Sequence, residues 1–453
     1  MTIHFRNVDV DPDSDPATHT NPLDQDTDDD GIGDGVEDAD RNGRVDSGET
    51  DPNDFDSDHD GLPDGLEAGL TASTNSAGTD ESSSHWKADT DPATTTDPLD
   101  DDTDDDGILD GNEDADHDGA VDALESDPNY ADTDGDGILD GTEIGLTAPQ
   151  GCGTNTLIGH FRADADPSKV TLPYDGDTDD DGINDGVEDI DHDGVKDASE
   201  TDATNYDTDG DMLPDGLEVG LTASTNDPDT DESSAHWRPD TDPSTTTDPR
   251  DCDSDDDGLM DGYDPSHPTL GEDLDRDGSR DATEADPNNY DTDGDGIFDG
   301  TEMGATSPTA NTALAAGHYR ADADPSKVTL AYDSDSDDDG INDGVEDLDK
   351  DGRMSTTAGS LETDASNYDT DGDGLSDGLE NGYTVADAGT NLASSHWRAD
   401  LDPTNHTDPR DADTDNDGRN DGAEDANHNG RVDANEADPL DSDTDDDGLK
   451  DGY

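Results

Sequence analysis

The sequence predicts a mostly irregular, elongated chain of tandem loops, with little helix or strand and no hydrophobic core of ordinary size. Three observations predict it. Of 453 residues, 131 are Asp or Glu against 20 Lys or Arg, a formal net charge of -111. Only 25% are hydrophobic and 4% aromatic. One acidic pattern also returns along the whole chain at near-constant spacing. Burial on this scale does not offset backbone entropy, and the carboxylates repel one another, so ordering requires a counter-charge. Nucleic acid and anionic membranes carry the same sign and are excluded as electrostatic partners. No stretch has the apolar length of a membrane helix, so no membrane insertion is expected in this segment, and the opening MTIHFRNVDV has no signal-peptide pattern. Cys152 and Cys252 stand in different contexts, which predicts free thiols rather than a disulfide framework.

The stretch DTDDDG or a close variant begins at Asp26, Asp102, Asp177, Asp253, Asp335 and Asp413, separated by 76, 75, 76, 82 and 78 residues. The modules are therefore 26–101, 102–176, 177–252, 253–334, 335–412 and a truncated 413–453, with 1–25 the end of a preceding one. Starting and stopping in mid-pattern, the chain reads as a segment of a longer array. Within a module, a twelve-residue loop A abuts a loop B of equal length, and loop C follows after a six-residue gap. A connector of 32 to 34 residues, rich in Ser, Thr, Pro and Asp, leads to the next module.

Each loop carries oxygen-bearing side chains at positions 1, 3, 5, 9 and 12 and Gly at position 6. In module one, loop A has Asp26, Asp28, Asp30, Asp34 and Glu37; loop B has Asp38, Asp40, Asn42, Asp46 and Glu49; loop C has Asp56, Asp58, Asp60, Asp64 and Glu67. Module two repeats them as Asp102, Asp104, Asp106, Asp110, Glu113; Asp114, Asp116, Asp118, Asp122, Glu125; and Asp132, Asp134, Asp136, Asp140, Glu143. Module three has Asp177, Asp179, Asp181, Asp185, Glu188; Asp189, Asp191, Asp193, Asp197, Glu200; and Asp207, Asp209, Asp211, Asp215, Glu218, with Met212 in place of the glycine. In module four, Asp253, Asp255, Asp257 and Asp261 are followed by Asp264 in place of Glu and by the insertion PSHPTLGE; Asp273, Asp275, Asp277, Asp281, Glu284 and Asp291, Asp293, Asp295, Asp299, Glu302 complete it. Module five has Asp335, Asp337, Asp339, Asp343, Glu346, then Asp347, Asp349, Asp351 and Glu362 interrupted by MSTTAGSL, then Asp369, Asp371, Asp373, Asp377, Glu380. Module six has Asp413, Asp415, Asp417, Asp421, Glu424; Asp425, Asp433 and Glu436 with Asn427 and Asn429 between; and Asp443, Asp445, Asp447, Asp451.

Hard oxygens at this spacing, a sharp glycine turn and a terminal bidentate Glu are what wrapping Ca²⁺ requires. Mg²⁺ wants a smaller octahedral shell, and thiolate- or imidazole-seeking metals lack their ligands. At least one Ca²⁺ per loop is expected, the ions standing in place of a hydrophobic core. A disordered acidic tail or a solubilising surface would not hold ligand spacing to the residue while intervening positions vary. Loops A and C are not EF-hands: Glu37 abuts Asp38 with no room for a helix, position 10 is Gly, and the apolar residue sits at position 7 rather than 8.

The stretches DTDGDGILDG (132–141), DTDGDGIFDG (291–300) and DTDGDGLSDG (369–378) resemble thrombospondin type 3 repeats. The resemblance covers loops A and C. It implies that Asp at positions 1, 3, 5 and 9 ligates Ca²⁺ and that neighbouring loops share aspartates between ions. Loop B, as in DADHDGAVDALE (114–125), leans towards an EF-hand-like or dockerin-like loop. The regular cysteines of the animal repeats are missing, so the chain is similar to the cysteine-free prokaryotic form.

A His-aromatic-basic triplet recurs in the connectors: His4-Phe5-Arg6, His85-Trp86-Lys87, His160-Phe161-Arg162, His236-Trp237-Arg238, His318-Tyr319-Arg320 and His396-Trp397-Arg398. It is either a surface for glycans or neighbouring chains, or a packing anchor with the ring on the loop's Ile or Leu and the cation on carboxylates. The anchor is favoured, because so poor a core needs every aromatic. Phe55, Tyr130, Tyr206, Tyr290 and Tyr368 are expected to pack between loops B and C. No nucleophile–base constellation stands out, and no enzymatic role is expected. The expectation is a calcium-stabilised extracellular or cell-surface structural protein, a fibre, stalk or adhesin spacer, with copies of itself or cell-surface glycans as partners. A soluble calcium buffer, a mineral-nucleating protein and a non-catalytic appendage of a large secreted enzyme are the alternatives.

Overall fold

In a computed structural model, residues 15, 18–74, 77–225, 228–267, 270–355, 357 and 360–452 are described; His4-Phe5-Arg6 lies outside them. The described chain is mostly irregular, as expected. It contains ten four-residue helices and two isolated bridges, Leu172 with Asp175 and Tyr263 with Gly271, and no sheet among the described residues. It divides into two compact units, Met1–Tyr206 with Ser224–Trp237, and Asp207–Ala223 with Arg238–Tyr453.

Side-chain oxygens shape each loop by satisfying backbone N–H groups that no regular element pairs. In loop A of module two, Gly107 N–H donates to Asp102 at 3.0 Å, Asp106 N–H to Asp104 at 3.1 Å and Ile108 N–H to Asp106 at 2.7 Å. Positions 4 and 6 are both left-handed, φ 66° at Asp105 and 101° at Gly107. Position 4 tolerates this as Asp, Asn or Gly, which explains the alternation of DTDDDG with DTDGDG. The loop closes when Thr103, at position 2, gives its N–H and its hydroxyl to the two oxygens of Asp110, at 2.7 and 2.6 Å.

Positions 9–12 then form one helical turn. The first unit holds α1 (Asp34–Glu37), α2 (Asp64–Glu67), α3 (Asp110–Glu113), α4 (Asp140–Glu143) and α5 (Asp185–Glu188). The second holds α6 (Asp215–Glu218), α7 (Asp299–Glu302), α8 (Asp343–Glu346), α9 (Asp377–Glu380) and α10 (Asp421–Glu424). One turn has no stability of its own, since nucleation is the costly step. The loop C helices stop at a left-handed glycine: Gly69 N–H meets Leu66 O at 2.9 Å and Leu70 N–H meets Gly65 O at 3.0 Å, a Schellman end. The loop A helices run straight into loop B.

The glycine at position 10, read from sequence as an argument against the exiting helix of an EF-hand, is there for a tertiary reason. A Cβ on Gly111 would lie 2.6 Å from the carbonyl oxygen of Asp60, in the preceding loop. The Gly111 N–H also donates to Asp60 Oδ2 at 2.6 Å. The same bond joins Gly141 to Asp106 at 2.8 Å and Gly186 to Asp136 at 2.5 Å within the first unit. In the second it joins Gly262 to Asp211 at 2.6 Å, Gly300 to Asp257 at 2.7 Å and Gly452 to Asp417 at 2.7 Å. Within each unit loops A and C thus alternate, these glycines seated on the position-5 aspartate of the loop before; Gly65 lies against the Asp30 carbonyl without that hydrogen bond.

Apolar burial is thin and placed at fixed positions. Position 7 is buried in loops A and C of the first five modules, for example Leu62, Ile108, Ile297 and Leu375, and position 11 is buried in loop C as Leu66, Leu217 and Leu379. Position 11 of loop A is exposed, as at Val36 and Val187. The recurring triplet proves to be an anchor with different partners from those expected. Its imidazole Nδ1 meets the position-3 carbonyl of its own loop A, His85 on Asp28 at 2.7 Å and His396 on Asp337 at 2.6 Å. Its aromatic ring covers the position-6 glycine, so that a Cβ on Gly31, Gly107 or Gly340 would clash with Trp86, Phe161 or Trp397. Its cation crosses to the position-3 carbonyl of the next loop B, Arg238 to Asp275 at 3.1 Å and Arg398 to Asn427 at 3.0 Å. Phe55, Tyr206, Tyr290 and Tyr368 stack on the triplet histidines at 3.8 to 4.1 Å, whereas Tyr130 is exposed.

Substituting Gly111→Ala is expected to cost at least ~2 kcal/mol, because the new methyl meets fixed backbone. Gly35→Ala, where a Cβ meets nothing within 4 Å, is expected to be neutral or to stabilise by up to about 1 kcal/mol. Denaturant midpoints of the two variants in excess calcium check this, and equal destabilisation by both refutes the seating.

Candidate metal centres

The structure sorts the predicted ligands into three kinds of cluster. Positions 1, 3 and 5 converge within one loop, as Asp26, Asp28 and Asp30, or Asp56, Asp58 and Asp60, with ligand oxygens all within 4.8 Å of one another. Positions 5 and 12 meet position 9 of the next loop: Asp30 and Glu37 with Asp64, and Asp60 and Glu67 with Asp110. Positions 1, 3 and 12 meet inside loop B, as Asp38, Asp40 and Glu49. Among the described residues there are 19 further groups of three or more such side chains. The position-9 aspartate therefore belongs with the preceding loop, and the position-5 aspartate serves two clusters. Many buried carboxylate clusters at ion-binding distance are compatible with metal binding.

The hydrogen bonding points the same way. The glutamate at position 12 has one oxygen held by a hydroxyl: Glu37 by Thr50 at 3.2 Å, Glu113 by Ser126 at 3.0 Å, Glu143 by Thr171 at 2.9 Å and Glu380 by Thr407 at 2.9 Å. The other oxygen, Oε2, is buried with no hydrogen-bond partner in each of these. At position 3, Oδ2 of Asp28, Asp58, Asp104 and Asp134 is buried and unpartnered too. A buried anionic oxygen without donor or counter-charge is strongly unfavourable, so this set is compatible with a cation. All donors are oxygens, which suits a hard ion. Without one, burial first and neighbouring carboxylates second push Glu37, Glu67 and Glu380 up to about 10 and Asp104 up to about 9. No family model, curated protein or solved structure matches the chain.

Loop B is more open. Glu49 accepts the N–H groups of Ala39 and Asp46, each at 3.0 Å, and Glu125 closes its own loop through Asp122 N–H at 2.9 Å. In module five Ser355 N–H meets Glu362 at 2.7 Å, so Ser355 takes position 9 there and Glu362 stays in place despite the interruption. In module six Asn427 and Asn429 spend their amides on Asp433 and Glu436. Asn42 likewise donates to Asp40 at 3.0 Å and Asp46 at 2.8 Å, which tempers its ligand role. Asp445 and Asp447 are exposed and Asp443 is half-buried. Asp264 leaves its cluster: it accepts Ser266 N–H at 2.6 Å and pairs with His267 Nδ1 at 2.8 Å, capping the inserted turn. Met212 keeps the loop shape at φ 81°, a conformation costly for a residue with a Cβ.

Two sets of residues escaped the sequence reading. The first is the hydroxyl set, Thr or Ser at position 2 and thirteen residues after the loop A glutamate; its signal is the recurrence of Thr27, Thr103 and Thr178, and of Thr50, Ser126 and Thr201. The second is a basic side chain at position 4 of every loop B: Arg41, His117, His192, Arg276, Lys350 and His428. His192 Nε2 lies 3.1 Å from the carbonyl of Gly186 and Lys350 Nζ 3.1 Å from that of Asp295, on the seam between two seated loops.

Carboxyls raised in the fold hold protons that the unfolded chain releases near pH 4. Their contribution to metal-free stability is therefore full below about 4 and lost as pH climbs towards about 10. In chelator, acidification from pH 8 to 5 is expected to strengthen the near-ultraviolet circular dichroism of packed tryptophans such as Trp237. A weakening signal contradicts this. Met212→Gly is expected to raise the denaturation midpoint in calcium by the equivalent of about 0.5–1 kcal/mol, strain relief less the entropy of glycine; a lower midpoint counts against strain at that position.

Proposed function

We propose that this chain is a calcium-stabilised structural protein of the cell exterior, a fibre, stalk or adhesin spacer whose Asp-rich loops fold and stiffen on binding Ca²⁺. One observation carries the reading. The same buried, unpartnered oxygens recur at positions 3 and 12, in loops that share their position-5 aspartates. Calcium accommodates six to eight oxygens at flexible angles, whereas magnesium demands a tighter octahedron and keeps its water. Ligation free energy is then folding free energy. Sites of this open, exterior kind bind at about 10⁻⁴ to 10⁻³ M, which suits millimolar calcium outside a cell and not the cytosol. A soluble buffer or a mineral-nucleating surface would present its carboxylates to water; here Asp26, Asp30, Asp64, Asp106, Asp257 and Asp339 have no exposed surface. The role is non-catalytic, and the resemblance to thrombospondin type 3 repeats accords with it. Copies of the same chain are the partners such an array would take.

Small-angle scattering of the full chain tests the reading. In about 2 mM calcium the radius of gyration is expected to be small and to grow on chelation, with magnesium at equal concentration failing to restore it. A radius that ignores the chelator overturns the proposal; full restoration by magnesium overturns the choice of ion.

A further inference from the structure

Loop A of module four lacks the helical turn that its counterparts have, and Asp264 is drawn off to cap the insert. The place of a position-12 carboxylate is nevertheless filled. Glu272 has no exposed surface, and both of its carboxylate oxygens are buried without a hydrogen-bond partner. Its nearest electrostatic neighbours are Asp257, Asp255, Asp261 and Asp299, which are positions 5, 3 and 9 of its own loop and position 9 of the next. Glu346, in the regular loop A of module five, has the corresponding neighbours Asp339, Asp337 and Asp377.

The backbone returns Glu272 to that place. Tyr263 and Gly271 form a bridge, and Glu272 N–H donates to Met260 O at 3.0 Å and Gly262 O at 3.2 Å. Gly262 keeps its seat on Asp211 at 2.6 Å. Two features of the sequence agree. Loop B opens at Asp273 directly after Glu272, just as Asp38 follows Glu37. The residue thirteen positions after Glu272 is Ala285, where modules one and two have Thr50 and Ser126; the missing hydroxyl accounts for the second orphaned oxygen. Glu424 of module six, followed at that distance by Ala437, also has both oxygens orphaned.

We propose that Glu272 is the position-12 cation ligand of loop A in module four, and that residues 264–271 are an excursion spliced between positions 11 and 12. The assignment rests on the calcium reading above. It predicts that both oxygens of Glu272 face the ion, where Glu37 and Glu113 give one to a hydroxyl.

Counting calcium ions on the full chain by native mass spectrometry decides it. Glu272→Gln is expected to lose one ion relative to the unaltered chain; Asp264→Asn is expected to lose none. Deleting 264–271, which joins Tyr263 to Glu272 and restores the regular loop length, is expected to keep the count. A full count in Glu272→Gln, or a lost ion in Asp264→Asn or in the deletion, overturns the assignment. Should Glu272→Gln unfold the chain, the other two variants still decide. An unaltered chain that binds no calcium refutes the broader reading instead.

Discussion

The structure depends on the aspartate at position 5 of loops A and C. Its Oδ1 accepts the N–H of position 7 and so shapes its own loop. Its Oδ2 accepts the position-10 N–H of the next loop. Its carboxylate also stands in two clusters at once, one inside the loop and one between loops. Three tasks on one short side chain leave no slack. They also make each loop's geometry conditional on its neighbour, which is how order spreads along a chain with so few apolar contacts.

Fully ionised, these carboxylates would not tolerate the arrangement without a counter-charge. Carboxylates within 4.8 Å of one another repel strongly once water is removed, and these have been removed from water. The apolar residues are too few to oppose that repulsion; they line positions 7 and 11 and the ring side of the position-6 glycine, as a thin backing to the carboxylates. The triplet works as a clip for the same reason. It spends an imidazole, a ring and a cation mainly on backbone carbonyls, tying loop A of module five to loop B of module six within the second unit.

Irregularities fall where this scheme tolerates them. Both long insertions, before Glu272 and before Glu362, open just ahead of position 12. The glutamate there is placed by its neighbours and by returning backbone, so the path between positions is free to lengthen at little entropic cost. An insertion between positions 1 and 7 would break the run of side-chain-to-backbone bonds that defines the loop.

Much of this was legible in the sequence. The period, the three loops per module, the ligand types and the near-absence of regular structure follow from residue identity at fixed spacing, because each loop is closed by bonds within its own short segment, spanning at most ten residues. The packing role of the triplet aromatics, buried at Trp237 and half-buried at Trp86, Phe161, Tyr319 and Trp397, followed from scarcity of core. Pairing between loops was not legible. Position 9 joins the preceding loop's cluster, position 10 is glycine because a carbonyl from a loop 35 to 51 residues away presses on it, and Glu272 rather than Asp264 closes its site. These are contacts between segments distant in the chain. Local spacing records what a loop can bind, while only the packed chain decides which loop shares its oxygens with which.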